Sequence, residues 1–198
     1  MNGKIKSLFS CILIVSFMTI MSCASLGSKA NISRPGALSK INCISLTEPV
    51  LMQKDGKNKI EISDKLWYDN ARHRILYAVK EHGLESMICN DSLRGIIENI
   101  TLEQNDPTLY DRALQIDQTA ATAVLRTELE IKVGDNHKGD SNVIMRLHDI
   151  ETDEIILDIE FNTKWGVNYV TKPTVIMTIR DGISGAMGKL AESMNRVM

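Results

Sequence analysis

The sequence predicts an α/β (α+β) domain built on a single mixed β-sheet, and three observations lead to this prediction. The amino-terminal half alternates strand, helix and strand patterns, which is typical of a parallel βαβ unit. Three long segments of alternating apolar and polar residues follow, separated by short turns, and predict an antiparallel three-strand meander. A long amphipathic segment comes after the meander, so we expect a carboxy-terminal helix that packs on the sheet.

Local patterns assign each element of this fold. Alternation of apolar and polar residues marks the strands, apolar spacing of three and four marks the helices, and cap residues and glycines mark helix ends. The predicted strands cover residues 40–46, 84–89, 122–133, 142–151 and 154–163, and 48–62 is predicted to be a loop or a ragged hairpin. The predicted helices run from a cap at Ser63 to Gly83, from a cap at Asp91 or Ser92, from Pro107, and from Lys172 onward.

The composition favours one globular domain and excludes several classes of protein. Of 198 residues, 43% are hydrophobic and 24% are charged, which suits one domain with its own core and argues against a disordered chain. Lysine and arginine number 23 against 25 aspartates and glutamates. Because there is no excess of positive charge, we expect no nucleic-acid partner.

Residues 1–22 are predicted to be a lipoprotein signal peptide. Lys4 and Lys6 precede an uncharged apolar run over 8–21, which is shorter than the about 20 residues that a membrane-spanning helix needs. The run ends in Ile20-Met21-Ser22-Cys23, which resembles a bacterial lipobox. The resemblance implies cleavage before Cys23 and acylation of that cysteine, which would anchor the protein to a lipid bilayer. An uncleaved anchor, or plain secretion after cleavage elsewhere, is the alternative.

The segment after the lipobox is predicted to be a flexible tether over residues 23–38. It is small and polar and is interrupted by Pro35-Gly36, a composition that is typical of linkers. Residues 39–198 then form a single periplasmic domain. No acidic residue directly follows Cys23, so we expect a lipid-anchored protein of the bacterial envelope, at the outer membrane and facing the periplasm.

Two segments of the domain carry a family resemblance. Ala120-Ala-Thr-Ala-Val-Leu125 opens a strand, and 143–156 is a strand–turn–strand of the form Val-Ile-Met-Arg-Leu-His-Asp-Ile-Glu-Thr-Asp-Glu-Ile-Ile. This arrangement resembles the periplasmic lipoproteins related to the curli secretion channel subunit, and also the penicillin-binding-protein activator lipoprotein and the amino-terminal domain of TolB. Over about residues 39–195 the resemblance implies an envelope-facing docking or assembly domain. The long barrel-forming hairpins of the channel subunit have no counterpart, so we expect no transmembrane pore.

The sequence contains no motif that predicts catalysis. It lacks a nucleophile elbow, a phosphate-binding loop and a zinc-protease motif. Its histidines, at 73, 82, 137 and 148, fall in separate predicted elements without metal-ligand spacing, and we expect them to be solvated. The chain is therefore predicted to have no catalytic residues, no metal site and no cofactor, and not to be an enzyme.

Two further patterns leave structural alternatives open. Cys43 and Cys89 lie in the first two predicted strands; they are either bridged or free and buried, and the free form is favoured because neighbouring parallel strands rarely offer disulfide geometry. Gly182, Gly185 and Gly188 recur in the last helix, where each glycine costs about 1 kcal/mol relative to alanine. Close packing of this helix on the sheet is favoured over contact with a second copy of the chain.

The predicted partner-binding surface combines two aromatic residues and an acidic turn. Trp165 and Tyr169 follow the last predicted strand, and Glu151, Asp153 and Glu154 surround the last hairpin turn. Exposed aromatic side chains often anchor protein contacts. We therefore expect a non-catalytic adaptor for envelope assembly or regulation, whose protein partner the sequence does not identify. The alternative is a structural subunit of an oligomeric ring or export assembly, hence a homo-oligomer without its own transmembrane barrel.

Overall fold

The computed structural model describes residues 27–55, 58–103, 106, 108–115, 119–133, 139–164 and 175–197. Within these residues the strands are β1 (Ser28–Ile32), β2 (Ile44–Leu46), β3 (Val50–Asp55), β4 (Asn58–Glu61), β5 (Ala123–Val133), β6 (Gly139–Asp149) and β7 (Ile155–Lys164). The helices are α1 (Pro35–Leu38), α2 (Lys65–Glu81), α3 (Asp91–Asn99), α4 (Thr108–Gln115) and α5 (Val175–Asn195). None of the helices in these ranges combines the length and the apolar character that crossing a membrane requires.

The described strands form one seven-stranded mixed sheet in the order β1-β7-β6-β5-β3-β4, with β2 also pairing with β5. Strands β5, β6 and β7 form the antiparallel meander, while β2 and β3 run parallel to β5. Strands β1 and β4 lie at the two ends of this order and are antiparallel to their neighbours. The predicted mixed sheet, its meander and its long carboxy-terminal helix are therefore confirmed.

The second strand of the βαβ unit is not the predicted one. Residues 84–89 contain a 3₁₀ turn over Glu85–Met87 instead of a strand. Leu84, Met87 and Ile88 are buried, and this spacing of three and four matches a helical turn better than the alternation of a strand. The parallel partner of β2 is β5, so the crossover between them includes three helices.

Residues 48–62 form a hairpin, which was one of the two alternatives. Strand β3 pairs with β4 in antiparallel register, with Asp55 opposite Asn58. Residues 56 and 57, which connect the two strands, lie outside the described residues.

The predicted tether does not extend over residues 28–38. Strand β1 pairs with β7 along its whole length, from Ser28 opposite Phe161 to Ile32 opposite Leu157. Helix α1 follows, and the Leu38 side chain is 1% exposed in the core. The polar composition of β1 suits a solvated edge strand, which takes its conformation from pairing with β7 and not from its own apolar pattern. Residues 1–26, which include the predicted signal peptide, lie outside the described residues.

Helices α2 and α5 cover one face of the sheet. Alternate residues of the meander, such as Leu125, Leu129, Met145 and Leu157, are at most 2% exposed and point toward these helices. The opposite face, which we call the outer face, consists of the intervening side chains, most of which are partly exposed. The domain is thus two layers thick, and one broad sheet surface faces solvent.

The glycines of α5 allow the close approach of this helix to its neighbours. A Cβ atom at Gly182 would lie 2.7 Å from Cγ2 of Val143 in β6, and one at Gly185 would overlap the ring of Phe161 in β7. A Cβ atom at Gly188 would lie 3.1 Å from the imidazole of His82. Close packing on the sheet, as predicted, therefore accounts for Gly182 and Gly185, while Gly188 accommodates the residue that caps α2.

The ends of α2 agree with the sequence patterns to within one residue. The amino-terminal cap is Asp64, whose Oδ1 accepts from the Trp67 N–H at 3.1 Å, in place of the predicted Ser63. The helix ends before Gly83, which has a φ of +69°. Glycine adopts this left-handed conformation without the steric cost that a side chain brings.

Candidate functional site

The outer face carries a ladder of charged pairs between strands, in which Lys59 reaches across β3 to β5. Arg146 of β6 lies 3.8 Å from Glu128 of β5 and 3.2 Å from Asp158 of β7. Lys59 of β4 pairs with Glu130 and lies 3.6 Å from Glu128. The hydrogen bond to Glu130 raises the pKa of Lys59 above its ordinary value. Cross-strand pairs of opposite charge such as these hold a solvated sheet surface in a defined arrangement.

A shallow groove of about 250 Å³ interrupts this ladder beside β5. Val50 and Ile144 supply apolar surface, and Arg126, Glu128 and Arg146 supply charged side chains around it. Val50 is 42% exposed, so this apolar surface is accessible to solvent. The groove is suited to a side chain of another protein better than to an enclosed small molecule, because it is open and charged at its rim.

The acidic turn between β6 and β7 is tightly built. Asp149 Oδ1 accepts from the N–H groups of Thr152 at 3.0 Å and Glu151 at 2.9 Å. The bond from Thr152 is the main reason that the pKa of Asp149 is lowered. Asp153 has a φ of 55°, a left-handed backbone conformation that aspartate tolerates better than most residues do.

Intramolecular cations neutralise most of the acidic side chains that were predicted to bind a partner. Asp153 Oδ1 lies 2.9 Å from Arg126 Nη2 and 3.6 Å from His148 Nδ1, and Glu154 pairs with Arg34. Glu151 is exposed at the tip of the turn. The structure therefore places Glu151, Asp153 and Glu154 in one turn, which Arg34 links to the segment after β1.

The other predicted site residues lie outside the described part of the chain. They are Trp165 and Tyr169, proposed as aromatic anchors, and Cys23, proposed as the lipidation site. Their relation to the acidic turn stays a prediction.

A polar cluster between α2 and α5 was not predicted. Ser184 Oγ donates to Glu81 Oε2 at 2.6 Å, and Arg74 Nη2 donates to the same oxygen at 2.7 Å. The His82 Nε2 lies 3.2 Å from Ser184 Oγ. In a catalytic triad the carboxylate orients the histidine through its second nitrogen. Here one carboxylate oxygen accepts directly from the serine and the arginine, so the cluster joins two helices and is not arranged as a nucleophile and its base.

Two of the histidines are less exposed than predicted. His73 and His148 are buried, at 4% and 7% exposure. Burial lowers the pKa of His73, and the positive charges of Arg180 and Arg74 act in the same direction, while the backbone of Thr101 opposes them. His73 is buried because it lies on the face of α2 that packs inward, together with Asn70. No group of three or more potential ligands in the described residues could hold a metal ion.

Cys43 and Cys89 form a disulfide, so the favoured prediction of free thiols is wrong. Their Cα atoms are 5.3 Å apart, within the normal range for a disulfide. The argument against a disulfide assumed that both cysteines lie in neighbouring parallel strands. Cys89 instead lies in the loop between the 3₁₀ turn and α3. A cavity of about 150 Å³ adjoins this bridge and is lined by Ile44, Leu93 and Asn90 among other uncharged residues.

Comparisons with known proteins give structural similarity only. No family model matches the sequence, and no curated protein matches it. A PelC dodecamer from Paraburkholderia phytofirmans is similar over 85% of this chain and 97% of that chain, with 10% identity and a TM-score of 0.42. A DUF330 protein from Xanthomonas campestris is similar over 78% and 86% of the two chains, with 7% identity and a TM-score of 0.33. These structures do not support the resemblance to the curli, activator and TolB proteins, and at such TM-scores they carry no conclusion about function.

Proposed function

We propose that this chain is a lipid-anchored, non-catalytic protein of the bacterial envelope that works as a subunit of an oligomeric assembly. The observation that supports the proposal is the two-layer architecture. In the described residues, helices α2 and α5 cover one face of the sheet, the outer face is partly exposed, and the edge strands β1 and β4 are largely exposed. Ordered, solvent-facing sheet surfaces and edges are sites at which protein chains associate.

The distribution of chemical groups favours contact over catalysis. The described residues that line the cavity beside the disulfide carry no acidic or basic side chain, and the groove on the outer face is shallow. The serine and histidine between α2 and α5 are bonded within a helix contact. Protein binding is therefore the chemistry that these surfaces perform best.

The proposed lipid anchor would keep the sheet close to the membrane. Only three residues lie between Cys23 and Gly27, and the four residue-to-residue steps of a fully extended chain span about 14 Å. Copies of the protein would then be confined to a thin layer at the bilayer. Their raised local concentration would strengthen weak contacts between them.

Two measurements on the full chain test this proposal. Light scattering of the detergent-solubilised protein over a range of concentrations should give a mass that is a multiple of the protomer. Intact-mass analysis of the membrane fraction should give a chain that begins at Cys23 and carries acyl groups, and Cys23→Ser should lose them. A protomer mass at every concentration would overturn the assembly, and an unacylated wild-type chain would overturn the anchor.

A second candidate function is an adaptor for a different envelope protein. It is favoured by the projecting turn of the last hairpin, where Ile150 is 47% exposed beside the exposed Glu151. If this turn and the aromatic residues act together, Trp165→Ala with Tyr169→Ala should abolish co-purification of a partner from bacterial membranes while preserving the thermal unfolding of the domain. Unchanged recovery of that partner would contradict the adaptor function.

A further inference from the structure

The edge strand β4 is the most accessible element of the sheet. All four of its residues, Asn58–Glu61, are exposed, and Ile60 is 60% exposed. It is the last strand in the described sheet order, so one side of its backbone faces no other described strand. Such a strand is able to accept another strand by backbone hydrogen bonding.

The hydrogen-bond pattern identifies the backbone groups that face outward. The Ile62 N–H donates to the Leu51 carbonyl at 2.8 Å, which makes this pair a hydrogen-bonded one. In antiparallel pairs, hydrogen-bonded residues alternate with residues whose backbone groups point away. The backbone N–H and C=O groups of Ile60 therefore also point toward β3. Those of Lys59 and Glu61 point outward, away from β3.

The side chains of β4 are complementary to a second copy of the same strand. Lys59 and Glu61 lie on the outer face, since they pair with Lys54 and Met52, whereas Ile60 lies on the opposite face. When two copies pair in antiparallel register about Ile60, Lys59 of each copy lies opposite Glu61 of the other. A shift of one step in either direction would place Lys59 opposite Lys59, or Glu61 opposite Glu61. Only the central register joins opposite charges, and it is also one that uses the outward backbone groups.

We propose that two copies of this chain associate through their β4 strands across a twofold axis at Ile60. The pairing forms four backbone hydrogen bonds between Lys59 and Glu61 of the two copies and two cross-strand ion pairs, with the Ile60 side chains in contact. The proposal rests on the proposed assembly function and names one contact of that assembly. The seven-stranded sheet of each copy then continues into its partner.

The charges around β4 favour this pairing in spite of the ion pair that Lys59 already makes. Lys59 contacts Glu130 and Glu128 within its own chain. Lysine on an edge strand ordinarily opposes pairing, but here each lysine meets a carboxylate of the other copy.

The contact is small, so it depends on the anchor. A strand of four residues buries well below the about 1,000 Å² that a stable interface in solution needs. Confinement at a bilayer raises the effective concentration enough for such a contact to form. The twofold axis is perpendicular to the sheet, so two anchors in the same bilayer require the paired sheets to lie along the membrane surface.

Cysteine cross-linking of the full chain in bacterial membranes tests the register. Residues that face each other in a non-hydrogen-bonded pair have Cα atoms about 4.5 Å apart, which is within disulfide range. Ile60→Cys should therefore give a disulfide-linked dimer under mild oxidation. The matched control is Ala30→Cys, an exposed position on the opposite edge strand β1, which should stay a monomer. Absence of the Ile60→Cys dimer, or equal cross-linking from Ala30→Cys, would overturn the proposal.

A charge exchange tests the ion pairs separately. Added to Ile60→Cys, Glu61→Lys gives a strand with two cations, and Lys59→Glu gives a strand with two anions. Each variant alone should cross-link about tenfold less, because both ion pairs become repulsive. Two differently tagged variants in the same cell should cross-link to each other, since a Glu61→Lys chain and a Lys59→Glu chain restore both pairs. Equal cross-linking in the single variants, the mixed pair and Ile60→Cys alone would refute the register.

The outcomes separate this contact from the assembly itself. An oligomeric mass by light scattering without Ile60→Cys cross-linking would leave the proposed function standing and reject the β4 contact. A protomer mass together with a charge-dependent Ile60→Cys dimer in membranes would support the β4 contact as a membrane-confined dimer and reject the larger assembly. A protomer mass with no cross-link would reject both.

Discussion

Substitution of single helical glycines by alanine tests the packing of α5 on the sheet. An added methyl group at Gly185 would come within 3.0 Å of three ring atoms of Phe161. Phe161 belongs to β7 and packs against the core, so its ring has little room to move. The matched control is Gly95 in the middle of α3, where an added Cβ meets no atom within 4 Å.

The expected changes in the free energy of unfolding have opposite signs. Alanine is more favourable than glycine in a helix by about 1 kcal/mol, so Gly95→Ala should stabilise the protein by about that amount. At Gly185 the same gain is opposed by overpacking, which costs about 3 kcal/mol when the neighbours must move. Gly185→Ala should therefore destabilise the protein by about 2 kcal/mol. Gly188→Ala should fall between the two, because its Cβ would lie 3.1 Å from the His82 ring.

Urea unfolding monitored by circular dichroism measures these differences. The slope of the unfolding free energy with urea should stay the same in all variants, so that shifts of the midpoint report stability. A second variant relieves the overlap: Phe161→Leu shortens the side chain that meets Gly185. The double variant should be more stable than the sum of the two single changes predicts, by about 1 kcal/mol or more. If Gly185→Ala stabilises the protein as much as Gly95→Ala does, the close approach of α5 to β7 is refuted.

Two other predictions concern the disulfide and a buried histidine. Replacing Cys43 and Cys89 by alanine should destabilise the protein by about 4 kcal/mol, because the disulfide closes a loop with a sequence separation of 46. Urea unfolding with and without reductant measures the change in unfolding free energy. A loss of stability below about 1 kcal/mol would contradict the prediction. Stability should fall as the pH drops below 6.5, since burial lowers the pKa of His73 and the unfolded chain then binds the proton more readily. One such group contributes at most about 1.4 kcal/mol per pH unit to the slope of unfolding free energy against pH. Urea midpoints between about pH 5.5 and 7.5 should show a smaller slope for His73→Leu than for the wild type. An equal slope in that variant would exclude His73 as the source of the pH dependence.

Local sequence patterns determine those elements whose burial follows a regular period. Strands β5 to β7 and helix α5 were predicted because their apolar residues recur every second position, or every third and fourth position, for ten residues or more. In each case one side of a single segment faces the core, and the segment itself carries that information.

The tertiary structure decides those features that depend on segments far apart in the chain. Strand β1 is polar and forms because β7 offers it hydrogen bonds. Strand β2 pairs with β5 although three helices lie between them in the chain. The bridge between Cys43 and Cys89 requires a loop to pass close to β2. Glu81 and Ser184 meet only because α2 and α5 lie side by side. The exposure of the β4 charges also depends on the tertiary structure, because the order of the other strands in the sheet is what leaves β4 at its edge.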